Sequence, residues 1–140
     1  DQVEYLGGLR TQFSARPLDN ISGPTELDVD KLPWRCDAVD LVYTANTLHI
    51  MSWQSVQALF TGLSDCLQGG GHLIIYGPFK YDGEFTSPSN ASFDLSLKSR
   101  NPKSGIRDFE AVDKLAQDIG LNLVTDHSMP ANNQCLIYRR

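Results

Sequence analysis

Asn46-Thr-Leu-His-Ile-Met-Ser-Trp53 sets an amide, an imidazole and two hydroxyls between an apolar run and an amphipathic helix. An open α/β sheet places its chemistry at such strand-to-helix corners, in the crevice at the carboxyl ends of its strands. His49 is the candidate general base, since an imidazole with an ordinary pKa of about 6.5 takes up a proton near neutral pH. Its plain alternative is a packed, hydrogen-bonded histidine on the flank of an apolar helix. A second corner of the same kind falls at Tyr76-Gly-Pro-Phe79 and turns the Tyr76 hydroxyl toward the same crevice. Arg107 offers a planar fork that suits a carboxylate or phosphate. Asn132-Asn133 offers two amides, in a turn geometry that asparagine also tolerates for its own sake.

The elements that must position these groups follow from periodicity. Val3 to Phe13 reads as a short helix weakened by Gly7-Gly8, and Thr25 to Val29 as a short strand ending near Asp28. Ala38 to Ala45 is a buried parallel strand. Ser52 caps a helix whose Val56, Leu59, Phe60, Leu63 and Leu67 make one apolar face, stopped by Gly69-Gly70-Gly71. His72 to Tyr76 is the next buried strand. The long stretch from Gly77 to Arg107 is functional or partly helical, with Phe93, Leu95 and Leu97 packing a short turn. Asp108 caps a helix carrying Phe109, Val112, Leu115, Ala116 and Ile119, closed by Gly120. Leu121–Thr125 and Cys135–Tyr138 finish as an antiparallel pair.

The order of elements calls for an α/β domain, a parallel sheet with helices on both faces, and residues 1–140 read as one domain. With 41% apolar residues the chain can bury a core, and a net charge of −5 argues against a sequence-independent nucleic-acid binder. Lys98, Arg100, Lys103 and Arg107 cluster, but Asp94 and Asp108 flank them, as on a solvated mixed-charge loop. No run is long enough to span a membrane, and no secretory leader is visible. Cys36, Cys66 and Cys135 show no metal-clip spacing and read as reduced thiols, which points to a cytoplasmic location. No metal site is expected. Trp34, Trp53 and Phe79 read as packing rather than a base-stacking platform.

Four motifs in order, Asn46–Trp53, Tyr76-Gly-Pro-Phe-Lys-Tyr81, Ser104-Gly-Ile-Arg-Asp-Phe-Glu110 and Met129-Pro-Ala-Asn-Asn133, closely resemble one family. It is the uncharacterised class I S-adenosylmethionine-dependent methyltransferase-like family known as domain of unknown function 938. The resemblance spans essentially the whole chain. It implies a three-layer α/β/α Rossmann-like sheet, mostly parallel, with an antiparallel C-terminal strand. It also implies that the first two strands and the glycine-rich turn of such a domain precede Asp1, so that this sequence corresponds to the C-terminal two-thirds. Thr25–Val29 would then lack a neighbour unless an upstream segment, a second chain in a homodimer, or repacking supplied one.

The resemblance further implies roles. Asp1 matches the acidic residue that holds ribose hydroxyls, Asp28 the carboxylate that binds the adenine amino group, and Asn46 a partner of the methionyl end of S-adenosylmethionine. His49 and Tyr76 fall where methyl donor and acceptor meet, with Arg107, Asn132 and Asn133 facing a small-molecule acceptor. The expected activity is methyl transfer from S-adenosylmethionine to that acceptor. The alternative is a non-catalytic remnant or interaction module that keeps the fold without the glycine-rich turn.

Overall fold

A computed structural model of the chain describes residues 3–140. Helix α1 (Val3–Ala15) is followed by an extended connection, strand β1 (Val39–Ala45), helix α2 (Trp53–Cys66) and strand β2 (Leu67–Gly77). A small excursion then forms β3 (Phe79–Tyr81), β4 (Glu84–Phe85), helix α3 (Pro88–Arg100) and β5 (Arg107–Asp108). Helix α4 (Phe109–Asp118) and strands β6 (Asn122–Met129) and β7 (Asn133–Arg139) complete the fold. The main sheet has the order β1-β2-β7-β6, and a three-stranded sheet has the order β4-β3-β5.

The core is the contact between α2, α4 and one sheet face. Val56, Phe60 and Leu63 of α2 and Val112 and Ala116 of α4 meet Leu73, Ile75, Leu136 and Tyr138, all essentially without solvent exposure. Each such large apolar side chain contributes about 1.5–3 kcal/mol by leaving water. Both helices start and stop for local reasons. The Ser52 hydroxyl accepts from the Ser55 amide at 3.0 Å, which caps α2. Past α4, Gly120 lies at φ +80°, with Gly120 N–H bonded to the Gln117 carbonyl and Leu121 N–H to that of Ala116. That is the left-handed glycine stop expected there.

Several expectations are corrected. Thr25–Val29 is no strand; the segment joins no ladder, and β1 leaves one edge unpaired among the described residues. The triglycine does not stop α2, which ends at Cys66 with Leu67 as cap; the glycines instead bulge out of β2, whose pairing jumps from Val39–Leu67 to Leu41–His72. There Gly70 and Gly71 pair with the backbone of Arg140 at 3.0 and 2.9 Å. Of the main-sheet ladders only β1–β2 is parallel, while β7 runs antiparallel to both neighbours. The expected antiparallel C-terminal strand is present, but it makes most of the ladders antiparallel. Leu41 and Tyr43, on the β1 face away from α2 and α4, are 52% and 60% exposed, where a third layer would cover them.

The cysteines differ as well. Cys36 and Cys66 are joined as a disulfide with Cα atoms 6.0 Å apart, and only Cys135 is free. The connection before β1 folds back over α2, where Trp34 lies against Gly62 so closely that a Cβ there would sit 2.2 Å from the indole. That return brings Cys36 to the end of α2, and it removes the thiol argument for a reducing compartment. No helix among the described residues is long and apolar enough to cross a membrane.

Candidate active site

The first corner is built by a left-handed residue. Asn46 takes φ +56°, a conformation asparagine adopts more readily than most, and its amide donates to the Tyr76 carbonyl at 2.8 Å. This ties the ends of β1 and β2 together. The chain then tightens through Thr47–Met51, with the Ile50 and Met51 amides both turned back to the Thr47 carbonyl. Leu48 and His49 are thereby buried, at 4% and 6% exposure.

A turn this tight leaves carbonyls without partners, and Ser104–Arg107 supplies them. Arg107 Nε donates to the Leu48 carbonyl at 3.0 Å, Gly105 N–H to that of His49 at 2.9 Å and Ser104 Oγ to that of Ile50 at 2.8 Å. An Arg107 terminal nitrogen donates to the Met51 carbonyl and also to that of Lys103. Four consecutive carbonyls are satisfied by one short segment. Asp94 of α3 holds that segment, accepting from the Ile106 amide at 2.7 Å and pairing with Lys98 at 2.6 Å. Arg107 thus has its guanidinium directed at backbone, where a clamp on an acceptor was expected. Asp108 stands at the N-terminus of α4 without a side-chain cap bond; its carboxylate pairs with Lys80 at 3.2 Å instead.

His49 lies buried at this corner. Burial holds its pKa below the ordinary imidazole value of 6.5, and the nearby Arg107 charge pushes the same way. The ring is therefore neutral at pH 7, with a lone pair for a proton. It finds no hydrogen-bond partner among the described residues and meets Phe93 edge-on at 5.4 Å. Gly77 stands close by; a Cβ there would lie 3.7 Å from His49 Nδ1 and 4.0 Å from Asn46 Oδ1, so the backbone of Gly77 passes beside both polar groups.

Beside Asn46 is a cleft of about 400 Å³ lined by Asn46, Ser89, Asn90, Phe93, Asn132 and Asn133, among others. Three residues singled out from sequence meet here. Tyr76 joins them indirectly, as Asn133 Nδ2 donates to its hydroxyl at 3.2 Å. Ser89, Asn90 and Phe93 were missed, because they come from α3 in the stretch read as mostly loop; the Ser87-Pro88 cap-and-first-turn pair was the available signal. Asp28 lies elsewhere, its carboxylate accepting from the Asp30 amide at 3.1 Å and facing Lys31 at 3.4 Å. Asp1 lies outside the described residues. Among the described residues no group of three or more acids, histidines and cysteines could hold a metal ion.

A family model described as "Protein of unknown function (DUF938)" matches residues 1–140. Among solved structures, the chain is similar over its whole length to the mitomycin 7-O-methyltransferase MmcR, with TM-score 0.81, 16% identity and 40% of that chain covered. It is likewise similar to the S-adenosylmethionine-dependent methyltransferase SibL, with TM-score 0.80, 19% identity and 42% of that chain covered. An O-methyltransferase family protein from Burkholderia thailandensis gives TM-score 0.79 at 19% identity, again with 42% covered. The chain spans about two-fifths of the length of these structures. At these identities the likeness shows a shared methyltransferase-like fold.

Proposed function

This chain belongs to the DUF938 family, and on that premise we propose that it works in methyl transfer from S-adenosylmethionine to a small-molecule acceptor. The observation that carries the reading is that Asn46 Oδ1 and His49 Nδ1 lie close together beside Gly77, at the carboxyl ends of β1 and β2, with Asn46 lining the neighbouring cleft. Asn46 would hold S-adenosylmethionine there, and the group would supply an electrophilic methyl for transfer to the acceptor.

The residues present fit part of that group. The Asn46 side chain makes no hydrogen bond among the described residues, so its amide is available to the amino and carboxylate ends of a methionyl moiety. Gly77 carries no side chain into the same space. Asp28 keeps lone pairs beyond those used by Asp30 and Lys31 and is the candidate for an adenine amino group. His49 takes the acceptor's proton, and Phe93 fixes the imidazole plane. Tyr76 and Asn133 hold the far wall of the cleft, and proximity supplies most of the rate. In this reading a second copy pairing along the edge of β1, unpaired among the described residues, would extend the sheet.

Calorimetric titration of the full-length protein with S-adenosylhomocysteine tests the reading. Micromolar binding, weakened by Asn46→Ala, is expected. Absence of binding would sink it and leave a non-catalytic module with a methyltransferase-like fold.

A further inference from the structure

The cleft beside His49 has an unusual wall: none of its lining residues is ionisable, and three are asparagines whose amide nitrogens are already engaged by protein. Asn90 is 5% exposed and donates both amide hydrogens, to Thr86 Oγ1 at 2.9 Å and to the Asn132 carbonyl at 3.0 Å. The second partner is a backbone carbonyl, which only accepts, so the amide cannot be flipped. Asn133 likewise donates to Tyr76 Oη at 3.2 Å and to the Pro130 carbonyl at 3.3 Å. Asn132 donates to Ser89 Oγ at 3.1 Å. Among the described residues nothing donates to the side-chain oxygen of any of the three.

Resting on the methyltransferase reading, we propose that this cleft is the acceptor site and that it selects an uncharged ring compound bearing hydroxyl or N–H donors, read by the carbonyl oxygens of Asn90 and Asn133. The physical reason is asymmetry. With both amide hydrogens of Asn90 and of Asn133 tied back, these two amides present only an acceptor, and a desolvated acceptor left unpaired is costly. A site built this way rejects an analogue that lacks the donor far more strongly than a merely apolar pocket rejects a misfit. Phe93 and Pro78 supply the apolar surface against which a ring lies flat. An anion is disfavoured, since the carbonyl oxygens carry partial negative charge and no cation lines the cleft. An acceptor whose hydroxyl has become a methyl ether no longer offers that donor, so the wall that holds substrate releases product.

The test is ligand-observed NMR titration of the full-length protein with resorcinol, 1,3-dimethoxybenzene and benzoate, which share a ring and differ in donors and charge. Resorcinol is expected to bind at least about tenfold more tightly than either of the others. Asn133→Leu should abolish that preference. Asn133→Asp, which keeps side-chain oxygens and lets Tyr76 reverse its bond, should retain it, an outcome that a purely structural role for Asn133 would not give. Equal binding of the three, tighter binding of benzoate or of the ether, or no binding of resorcinol would overturn the proposal. S-adenosylhomocysteine binding without donor preference sinks this inference and leaves the methyltransferase reading standing; donor preference without S-adenosylhomocysteine binding overturns both the methyltransferase reading and the assignment of the cleft as an acceptor site.

Discussion

Arg107 Nε donates to the carbonyl of Leu48 at 3.0 Å, which fixes a positive charge one residue from the imidazole of His49. The same guanidinium reaches the carbonyls of Met51 and Lys103, so the corner that carries the candidate base is held in shape by one side chain. Lysine has the charge but not the fork and cannot reach all three. Arg107→Lys should therefore cost about 2 kcal/mol of stability, seen as a lower urea midpoint at unchanged slope. A midpoint equal to wild type would show that the three bonds contribute nothing net.

His49 gives a pH dependence with a definite sign. Its folded-state pKa lies below 6.5, so as pH falls the unfolded chain takes up the proton first. Its contribution to stability is full above pH 6.5 and is lost as the pH drops from there through the lower folded value. Melting temperature should accordingly fall more steeply between pH 7 and 5 in wild type than in His49→Gln. The same substitution should lower methyl-transfer kcat by about 10²–10⁴-fold, with the acid limb of the wild-type rate profile below pH 6.5. Parallel melting curves for the two proteins would contradict the buried neutral imidazole.

Tyr76→Phe removes the hydroxyl that accepts from Asn133, while the Asn133 amide keeps the Pro130 carbonyl. The loss should be modest, about 0.5–1.5 kcal/mol by chemical denaturation. Because the bond links β2 to the turn before β7, amide exchange should quicken around Asn132 and Asn133 while α2 and α4 are unaffected. Uniform quickening through the helices would mean that Tyr76 supports the core instead.

Gly62 lies under Trp34, with no room for even a methyl group. Gly62→Ala should lift the indole off α2, costing about 1–3 kcal/mol despite alanine's better helix propensity. Tryptophan emission would shift to the red as the ring gains solvent. An alanine variant as stable as wild type, with unshifted emission, would refute the close packing.

Where apolar spacing carried the information, the sequence was legible. The faces of α2 and α4 follow from it directly, while the antiparallel pairing of β6 with β7 follows from the short turn-rich connection between them. The sequence suggests only a short helical turn around Phe93–Leu97, not the full α3, because the buried stripe is Asn90, Asp94 and Leu97; the spacing is helical, but two of the three residues are polar and announce a surface loop. Asp94 is buried to hold the Ile106 amide, a demand created by the tertiary fold alone. Arg107 was noticed for its fork, but its partners are backbone carbonyls, which no residue pattern records. The disulfide joins positions thirty residues apart that meet only after the chain doubles back over α2. Asn46, at the end of β1, and Asn132 and Asn133, between β6 and β7, all line one cleft.

Strand β7 lies between β2 and β6, although it follows both in the chain. During translation β6 thus leaves the ribosome with no sheet partner in place, and its backbone groups wait unpaired until residues 133–139 emerge and insert. At about 5–20 residues per second the wait is short, but it ends only when the strand has cleared the exit tunnel. Ribosomes stalled before that point should carry nascent chains whose α2 is formed while the sheet remains open, and these are the species a chaperone would meet.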